Sequence, residues 1–180
     1  MFDHCALKTI LIGLLSSAVA GAAMAAELPP IKTGLWQITS ERKLNGQAMP
    51  DPMEHLKNLP PDMRAKMEAM MKKNGVDLSG GTIKSCIDKA TLDQGHWRNQ
   101  QGGNCKTTYS QQSASLWKWH SSCTKPKPAE IDGESRFIDP QHYTTIMKMT
   151  SSDHVMDMTV DARWLGADCG DVAPIKAPQE

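Results

Sequence analysis

The sequence predicts a mainly β protein: an antiparallel meander curled into a barrel or half-barrel, with one inserted Met-rich α-helix and two disulfides. From Cys105 onward, short segments with β-type alternation follow one another, separated by tight turns. No long helix is available for parallel crossovers, so the strands must run antiparallel. A flat single sheet would leave its apolar face in water, so we expect the sheet to curl into a barrel or half-barrel, or to fold back as a sandwich.

The first residues have the pattern of a secretory signal peptide. Lys8 ends a short, weakly basic start, an apolar run extends from Thr9 to about Val19, and Ala23-Met24-Ala25 supplies a small-x-small cleavage site. The run is too short for a membrane span. We therefore expect residues 1–25 to be removed and the rest to reside in the periplasm, an oxidising compartment.

The remaining chain has the length of one domain, predicted here as residues 26–170. Its first strand is predicted in "TGLWQITSE", which alternates around Trp36 and Ile38. The next stretch, "KLNGQAMPDPMEHLKNLPP", contains an Asn45-Gly46 turn and four prolines, so we expect an irregular excursion. The last ten residues, 171–180, have no periodicity and are predicted to be a disordered tail.

A helix is predicted over about residues 62–74, in "DMRAKMEAMMKKNG". Asp62 is suited to cap its start, and Asn74-Gly75 is suited to end it. Four methionines recur along it with helical spacing: Met63, Met67, Met70 and Met71. After the helix, "TIKSC" predicts a short strand that ends at Cys86, and Asp88 can cap one helical turn.

The cysteine positions predict one hairpin in detail. If Cys105 faces Cys123, then Tyr109 faces Trp119 and Gln111 faces Trp117, with a turn near residues 113–115. Directly opposed residues lie at the separation that a disulfide accepts. We therefore pair Cys105 with Cys123, which leaves Cys86 with Cys169.

The stretch "MKMTSSDHVMDM" predicts a second hairpin. A two-residue turn at Ser152-Asp153 places Met149 opposite Met156 and Met147 opposite Met158. On the other face the same register places Lys148 opposite Asp157, a favourable cross-strand pair. Slipping by one residue would destroy both patterns, so the register is well determined.

Before this hairpin, "KPKP" is an extended connector, and "GESRFIDPQHYTTIMKMT" predicts two strands around Asp139-Pro140.

The apolar composition is unusual, because residues 26–180 contain only nine leucines, eight isoleucines, four valines and one phenylalanine. Ten methionines and five tryptophans must supply much of the core. Trp117 and Trp119 are interpreted mainly as core beside a disulfide, with a ligand platform as the alternative. The methionines are likewise expected to be core first. The alternative is a Cu(I) site, because soft thioethers favour that ion, formed by the set Met147, Met149, His154, Met156 and Met158.

The composition excludes several function classes. A formal net charge of zero argues against nucleic-acid binding. No zinc spacing of histidines, nucleophile elbow, phosphate loop or dinucleotide motif occurs, so we expect no enzyme, and a hydrolase is a third alternative. The leading hypothesis is a non-enzymatic module, without a cofactor, that binds a small apolar ligand or a periplasmic protein. Its candidate binding residues are Met63, Met67, Met70, Met71, Trp117 and Trp119.

Several short motifs occur in a familiar order. They are "GLWQ" from Gly34, "MEAMM", "SC" at Ser85-Cys86, "NC" at Asn104-Cys105, "WKWHSSC", "MKM" with "MDM", and "GADC" ending at Cys169. Together they resemble the bacterial exported family called domain of unknown function 3617, over nearly the whole of residues 26–180. Gln37 stands where that family often has Glu. The resemblance implies a periplasmic location and four paired cysteines, and it implies no activity and no functional residues.

Overall fold

The computed structural model describes residues 28–93 and 104–175, in which one antiparallel sheet of nine strands dominates. The strands are β1 (Gly34–Leu44), β2 (Gln47–Ala48), β3 (Val76–Asp77), β4 (Ile83–Ile87), β5 (Cys105–Gln112), β6 (Leu116–Cys123), β7 (Ala129–Asp139), β8 (His142–Ser151) and β9 (Val155–Gly166). The helices are α1 (Pro52–Lys57), α2 (Pro61–Lys73) and α3 (Lys89–Asp93), with a 3₁₀ turn at Ser79–Gly81. The predicted signal peptide, residues 1–25, lies outside the described residues.

The strand order is β3-β4-β1-β9-β8-β7-β6-β5, and β2 pairs with β1. Strands β5 to β9 form the predicted meander. The first strand, β1, pairs with the last strand, β9, along most of its length. Within the described ranges the edge strands β3 and β5 do not pair, so the sheet is open and is not a closed barrel. The predicted mainly β, antiparallel fold is confirmed. None of the described helices is long and apolar enough to cross a bilayer.

The two faces of the sheet differ along every long strand. In β7, Ile131, Ser135 and Phe137 are buried, whereas the alternate residues are mostly exposed. In β8, Tyr143 and Thr145 are buried and Lys148 is exposed. This is the period-two pattern of a sheet with one covered face. We call the side that carries Trp36, Trp117 and Tyr143 the inner face, and the side that carries Lys43, His120 and Lys148 the outer face.

The predicted register of the β8–β9 hairpin is confirmed: Met147 pairs with Met158, Met149 with Met156, and Lys148 with Asp157. In the β5–β6 hairpin Cys105 pairs with Cys123 and Tyr109 with Trp119, as predicted. The predicted pairing of Gln111 with Trp117 was wrong, because the register shifts between Tyr109 and Gln111, and Gln112 pairs with Trp117. A bulge of this kind is frequent in an edge strand, where one ladder is missing.

Two elements of the helical insertion differ from the prediction. The excursion predicted as irregular contains α1, whose start is capped by Asp51, since its Oδ1 accepts a hydrogen bond from Met53 N at 2.9 Å. Proline at the first helical position is compatible with a helix, so Pro52 does not break it. In α2 the N-cap is Pro60 and has no side-chain cap, so the predicted cap at Asp62 was wrong. The predicted end is confirmed at Asn74, and Gly75 adopts φ +90°.

The main core is built from aromatic and aliphatic residues. It consists of Ile31, Trp36, Ile87, Leu92, Trp117, Phe137, Tyr143 and Ala162. A smaller cluster beside α2 contains Met53, Leu56 and Leu78, with Met67 and Met71 packed against it. Met63 and Met70 are 56% and 58% exposed, so the expectation that they are core residues was wrong. The helix lies beside the edge strand β3, with Met67 and Met71 on the packed side and Met63 and Met70 on the exposed side.

Both predicted disulfides are confirmed. Cys105–Cys123 joins the edge hairpin, with a Cα–Cα distance of 4.0 Å, and Cys86–Cys169 joins β4 to the segment after β9, with a Cα–Cα distance of 5.6 Å. These bonds indicate an oxidising, extracytoplasmic location.

The segment that follows Cys169 is ordered as far as Ile175. Val172 is buried, Pro174 forms a β-bridge with Cys86, and the amide of Ile175 donates to the Cys86 carbonyl at 3.1 Å. The predicted disorder was therefore wrong for residues 172–175. The disulfide holds this segment beside β4, which supplies hydrogen-bond partners that the segment's own sequence does not reveal. Residues 176–180 lie outside the described ranges.

Candidate functional site

The inner face of the open sheet carries a partly open cavity of about 460 Å³. Its lining comes from both halves of the sheet and from the segment after Cys169. The lining residues are Ile38, Val76, Ser85, Ile87, Thr91, Tyr109, Trp117, Trp119, Ser135, Phe137, Tyr143, Thr145, Met147, Met158, Val160 and Ile175. A volume of this size is within the range of small-molecule sites in proteins.

Two neighbouring rows of register partners form much of the cavity wall. One row consists of Trp117, Ser135, Thr145 and Val160, on β6 to β9. The other consists of Trp119, Gly133, Met147 and Met158 on the same strands. Both rows lie on one face because positions two apart in a strand share a face. The predicted binding residues Trp117 and Trp119 are therefore brought together in the wall.

Gly133 provides the space in which the Trp119 indole lies. The two residues are register partners, and a Cβ atom at position 133 would overlap ring atoms Cζ2 and Cε2 of Trp119. The ring therefore lies against the β7 backbone at Gly133. Any side chain at position 133 would displace the indole from this place.

A series of five aromatic rings crosses the inner face of the sheet. Successive ring centroids are 5.3 to 6.1 Å apart, at separations that favour tilted and edge-to-face contacts. The series runs Trp36, Tyr143, Phe137, Trp117, Tyr109. Ala162 is fully buried between the β1 and β8 members, and its small side chain lets Trp36 reach Tyr143. The four rings other than Trp36 also line the cavity, so rigid apolar groups form part of its wall.

The polar groups of the wall are neutral. The lining, as far as the chain is described, contains no Lys, Arg, Asp, Glu or His. Burial raises the pKa of the Tyr143 phenol above its ordinary value, so this group also stays uncharged. Ser85 Oγ donates to the Gly75 carbonyl at 2.9 Å, and the hydroxyls of Ser135 and Thr145 bond to each other at 2.6 Å. The cavity is thus suited to an uncharged, mostly apolar molecule.

The four helix methionines do not line the cavity. Met67 and Met71 pack against the small cluster of Met53, Leu56 and Leu78, as does the wall residue Val76. Met63 and Met70 face solvent. The helix α2 thus lies beside the cavity wall at the β3–β4 edge.

Of the five residues of the copper hypothesis, the four methionines lie on the inner face and His154 lies at the turn. Met147 and Met158 line the cavity, and Met149 and Met156 form the next cross-strand pair. His154 lies at the turn, and its Nδ1 is 3.1 Å from both Ser151 Oγ and Asp153 Oδ1. Across residues 28–93 and 104–175 no group of three or more His, Cys, Asp or Glu side chains could hold a metal ion. Any soft-metal site here would depend on the thioethers.

Histidine–carboxylate pairs occur on the outer face, away from the cavity. His142 Nε2 lies 2.7 Å from Asp161 Oδ2, and this hydrogen bond lowers the pKa of Asp161. His120 Nδ1 lies 2.8 Å from Asp132 Oδ1, and this hydrogen bond raises the pKa of His120. Both pairs are surface features that belong to the polar side of the sheet.

Comparison with known proteins places the chain in a family. The profile of DUF3617, described as a protein of unknown function, matches residues 31–169. The chain belongs to the DUF3617 family. Within its matched region lie both disulfides and nearly all of the cavity wall, with the exception of Ile175.

One curated relative of this DUF3617 chain is an uncharacterized protein in the lpd-3 5'region of Pseudomonas putida. The two are 29% identical over 120 residues, which cover 63% of this chain and 82% of the relative. No solved structure matches the chain. The family name assigns no activity, so the function must be argued from the cavity itself.

Several cavity residues of this DUF3617 chain were missed by the sequence analysis. Ser135 and Thr145 share a register row with Trp117, and both lie in the stretch "GESRFIDPQHYTTIMKMT" for which two strands were predicted, but no register was predicted between those strands and the β5–β6 hairpin. Gly133, in the same stretch, was not recognised as the position beneath the Trp119 ring. Ile175 had no such signal, because its position depends on the Cys86–Cys169 disulfide and on the β4 backbone.

Proposed function

We propose that this DUF3617 chain is a non-enzymatic periplasmic binding domain that holds a small apolar ligand in the inner-face cavity. The observation that carries the proposal is the cavity of about 460 Å³, whose wall is apolar and without charge. Water in an open cavity of this kind contacts apolar wall surface, and a bound apolar molecule would remove that surface from water. The periplasmic assignment is supported by the two disulfides and by the pattern of residues 1–25.

The shape of the site favours a small-molecule ligand over a protein partner. The wall residues are on several strands and line one concave space, as in small-molecule sites. The exposed methionines Met63 and Met70 are two separate side chains on one helix face, which is a small surface for a protein partner.

Native mass spectrometry of the protein, purified without delipidation, tests the proposal. We expect an added small-molecule mass that organic extraction removes, and we expect the extracted protein to take up undecane as a probe. Absence of any added mass, together with no undecane uptake after extraction, would contradict the proposal.

A matched pair of substitutions on β9 tests whether undecane binds in the cavity. Val160 lines the cavity, and the next residue toward the turn, Thr159, is exposed on the outer face. Val160→Trp would fill the space, so undecane uptake should fall at least about tenfold, whereas Thr159→Trp should leave uptake unchanged. Equal effects of the two changes would exclude the cavity as the binding site.

A second candidate function is Cu(I) binding, favoured by the cross-strand methionine pairs Met147–Met158 and Met149–Met156. Titration of Cu(I) against a competing chelator measures it. Met147→Leu with Met149→Leu should abolish binding tighter than micromolar and keep undecane uptake. No such affinity in the wild-type protein, or an affinity that the two changes leave intact, would exclude this function.

A further inference from the structure

The helix α2 carries an unusual set of side chains on the side that faces solvent. Its exposed residues are Pro61, Asp62, Met63, Ala65, Lys66, Ala69, Met70 and Lys73. Met63 and Met70 are 56% and 58% exposed, whereas Met67 and Met71 supply the thioethers that pack against the protein. The solvent side of a surface helix is ordinarily polar. Packing within the described residues therefore does not account for the two outward methionines.

Four of the exposed residues form one line along α2. They follow one another at intervals of three, four and three residues, which places them in a single row on a helix surface. We call this row the Met–Lys stripe: Met63, Lys66, Met70 and Lys73. Thioether and ammonium groups alternate along the stripe, so the surface that complements it must accept both.

The stripe is locally basic. Neither Lys66 nor Lys73 forms an ion pair with a described residue, whereas the neighbouring Lys72 lies 2.6 Å from Asp171. Asp62, at the helix start, is the one acidic residue on the exposed side of α2. The zero net charge of the chain does not cancel this local excess, because exposed charges more than about 8 Å apart are largely screened at physiological ionic strength. The complement of the stripe is a surface that carries negative charge above an apolar layer.

A phospholipid bilayer with anionic head groups has both properties. Lysine ammonium groups are attracted to the lipid phosphates, and the apolar side chains of an interfacial helix enter the boundary of the acyl chains. Each side chain enters the lipid separately, so a bilayer needs no large complementary area on the protein. A protein partner does need such an area, and a nucleic acid offers no apolar layer to the thioethers.

We propose that the Met–Lys stripe of α2 docks the protein on the surface of an anionic phospholipid bilayer, as a peripheral contact in which the helix lies parallel to the membrane. The helix packs beside β3, whose Val76 lines the cavity, so the docking surface is close to the cavity wall. The inference does not depend on the proposed function, because vesicle binding is measured without an apolar ligand.

Sedimentation with lipid vesicles tests the inference. The protein recovered after export is mixed with vesicles of phosphatidylglycerol or of phosphatidylcholine. Loss of residues 1–25 is checked by mass, because their apolar run would bind lipid by itself. Binding should be reversible, at least about tenfold stronger to phosphatidylglycerol, and weaker as the ionic strength rises.

Two double substitutions with the same change of net charge test the lysines. Lys66→Glu with Lys73→Glu should lower partitioning onto phosphatidylglycerol by at least about tenfold. The matched control is Lys43→Glu with Lys148→Glu, on the outer face of the sheet, where both lysines are exposed. This control should lower partitioning by less than about threefold, because its charges lie away from the docked surface.

A second matched pair tests the methionines. Met63→Gln with Met70→Gln keeps the charge of the stripe and should lower partitioning by at least about tenfold, because amide groups do not enter the acyl boundary. Ile138→Gln with Ile146→Gln is the control, since these outer-strand residues are 58% and 56% exposed, as the two methionines are. Partitioning of the control should equal that of the wild-type protein.

The outcomes separate this inference from the cavity hypothesis. Equal binding to the two lipids, or control pairs that weaken binding as much as the stripe pairs, would overturn the inference. It is also overturned if the methionine pair leaves binding intact, because charge alone would then hold the protein. If no vesicle binds, the inference is overturned, whereas undecane uptake still tests the cavity by itself.

Discussion

The two faces of the sheet carry opposite chemistry on the same five strands, one residue apart. On the outer face, one register row across β6, β7, β8, β9 and β1 alternates between basic and acidic residues: His120, Asp132, Lys148, Asp157 and Lys43. The neighbouring inner row, which includes the residue before His120 on β6, is Trp119, Gly133, Met147, Met158 and Arg42. The comparison shows that the strand register determines which residues form the cavity, since a slip of one position would put charges into it.

The two faces also contribute unequally to stability. Outer-face pairs such as His120–Asp132 are solvent-exposed, with side chains 50% and 72% accessible, and such pairs contribute little. The inner face buries large aromatic groups, each of which contributes several times more. Changes of equal chemical size should therefore have very different effects on the two faces.

The largest expected effect comes from releasing the sheet edge that holds one wall of the cavity. The Cys86–Cys169 disulfide spans 83 residues, so Cys86→Ala with Cys169→Ala should lower the free energy of unfolding by about 4.5 kcal/mol. The same change at Cys105 and Cys123, which are 18 residues apart, should cost about 3 kcal/mol. Denaturant unfolding measures both. A larger loss from the shorter loop would show that chain entropy does not control the difference.

The next effect compares neighbouring positions on the two faces of β1. Trp36 is fully buried, and Trp36→Ala should lower the free energy of unfolding by about 4 kcal/mol because it leaves a large void. Gln37 lies on the other face, and Gln37→Ala should lower the free energy of unfolding by less than about 1 kcal/mol. Chemical denaturation of both variants checks this, and equal losses would contradict the assignment of the faces.

A smaller effect is expected at the glycine beneath Trp119. Gly133→Val should lower the free energy of unfolding by about 2 kcal/mol and reduce undecane uptake, because the new side chain overlaps the indole and forces it into the cavity. Asp132→Val, one residue away on the outer face, is the control and should leave uptake unchanged. Unaltered uptake in Gly133→Val would mean that the indole does not form the wall as described.

The smallest effect is a pH dependence on the outer face. The hydrogen bond to His142, followed by the charges of His142 and Arg163, lowers the pKa of Asp161 in the folded protein. The ionised Asp161 carboxylate therefore contributes to the free energy of unfolding above the ordinary aspartate pKa. This contribution is lost as the pH falls through the lowered pKa of the folded protein. Asp161→Asn should cost a few tenths of a kcal/mol at neutral pH, and the difference from wild type should vanish in acid. Unfolding curves at several acidic pH values test this.

Part of the cavity could be derived from the sequence, and part could not. The pairing of Cys105 with Cys123 and the Met147–Met158 register followed from spacing alone, because alternation and tight turns are local properties. The bulge after Tyr109 was not visible, since an edge strand tolerates an extra residue without changing its composition. The helix α1 was missed because prolines around it suggested an irregular chain, although proline is well tolerated at a helix start.

The sequence by itself determined the antiparallel meander, the two disulfide pairs and the separation of apolar from charged residues, because each depends on spacing between near neighbours or on cysteine count. The tertiary structure decided that the described main core contains no methionine and that five aromatic rings cross the inner face, since packing between strands far apart in the chain depends on how the sheet curves. It also decided that Gly133 accommodates Trp119 and that Ile175 lines the cavity. Curvature is a property of the whole sheet, and the space it encloses exists only once the strands have paired.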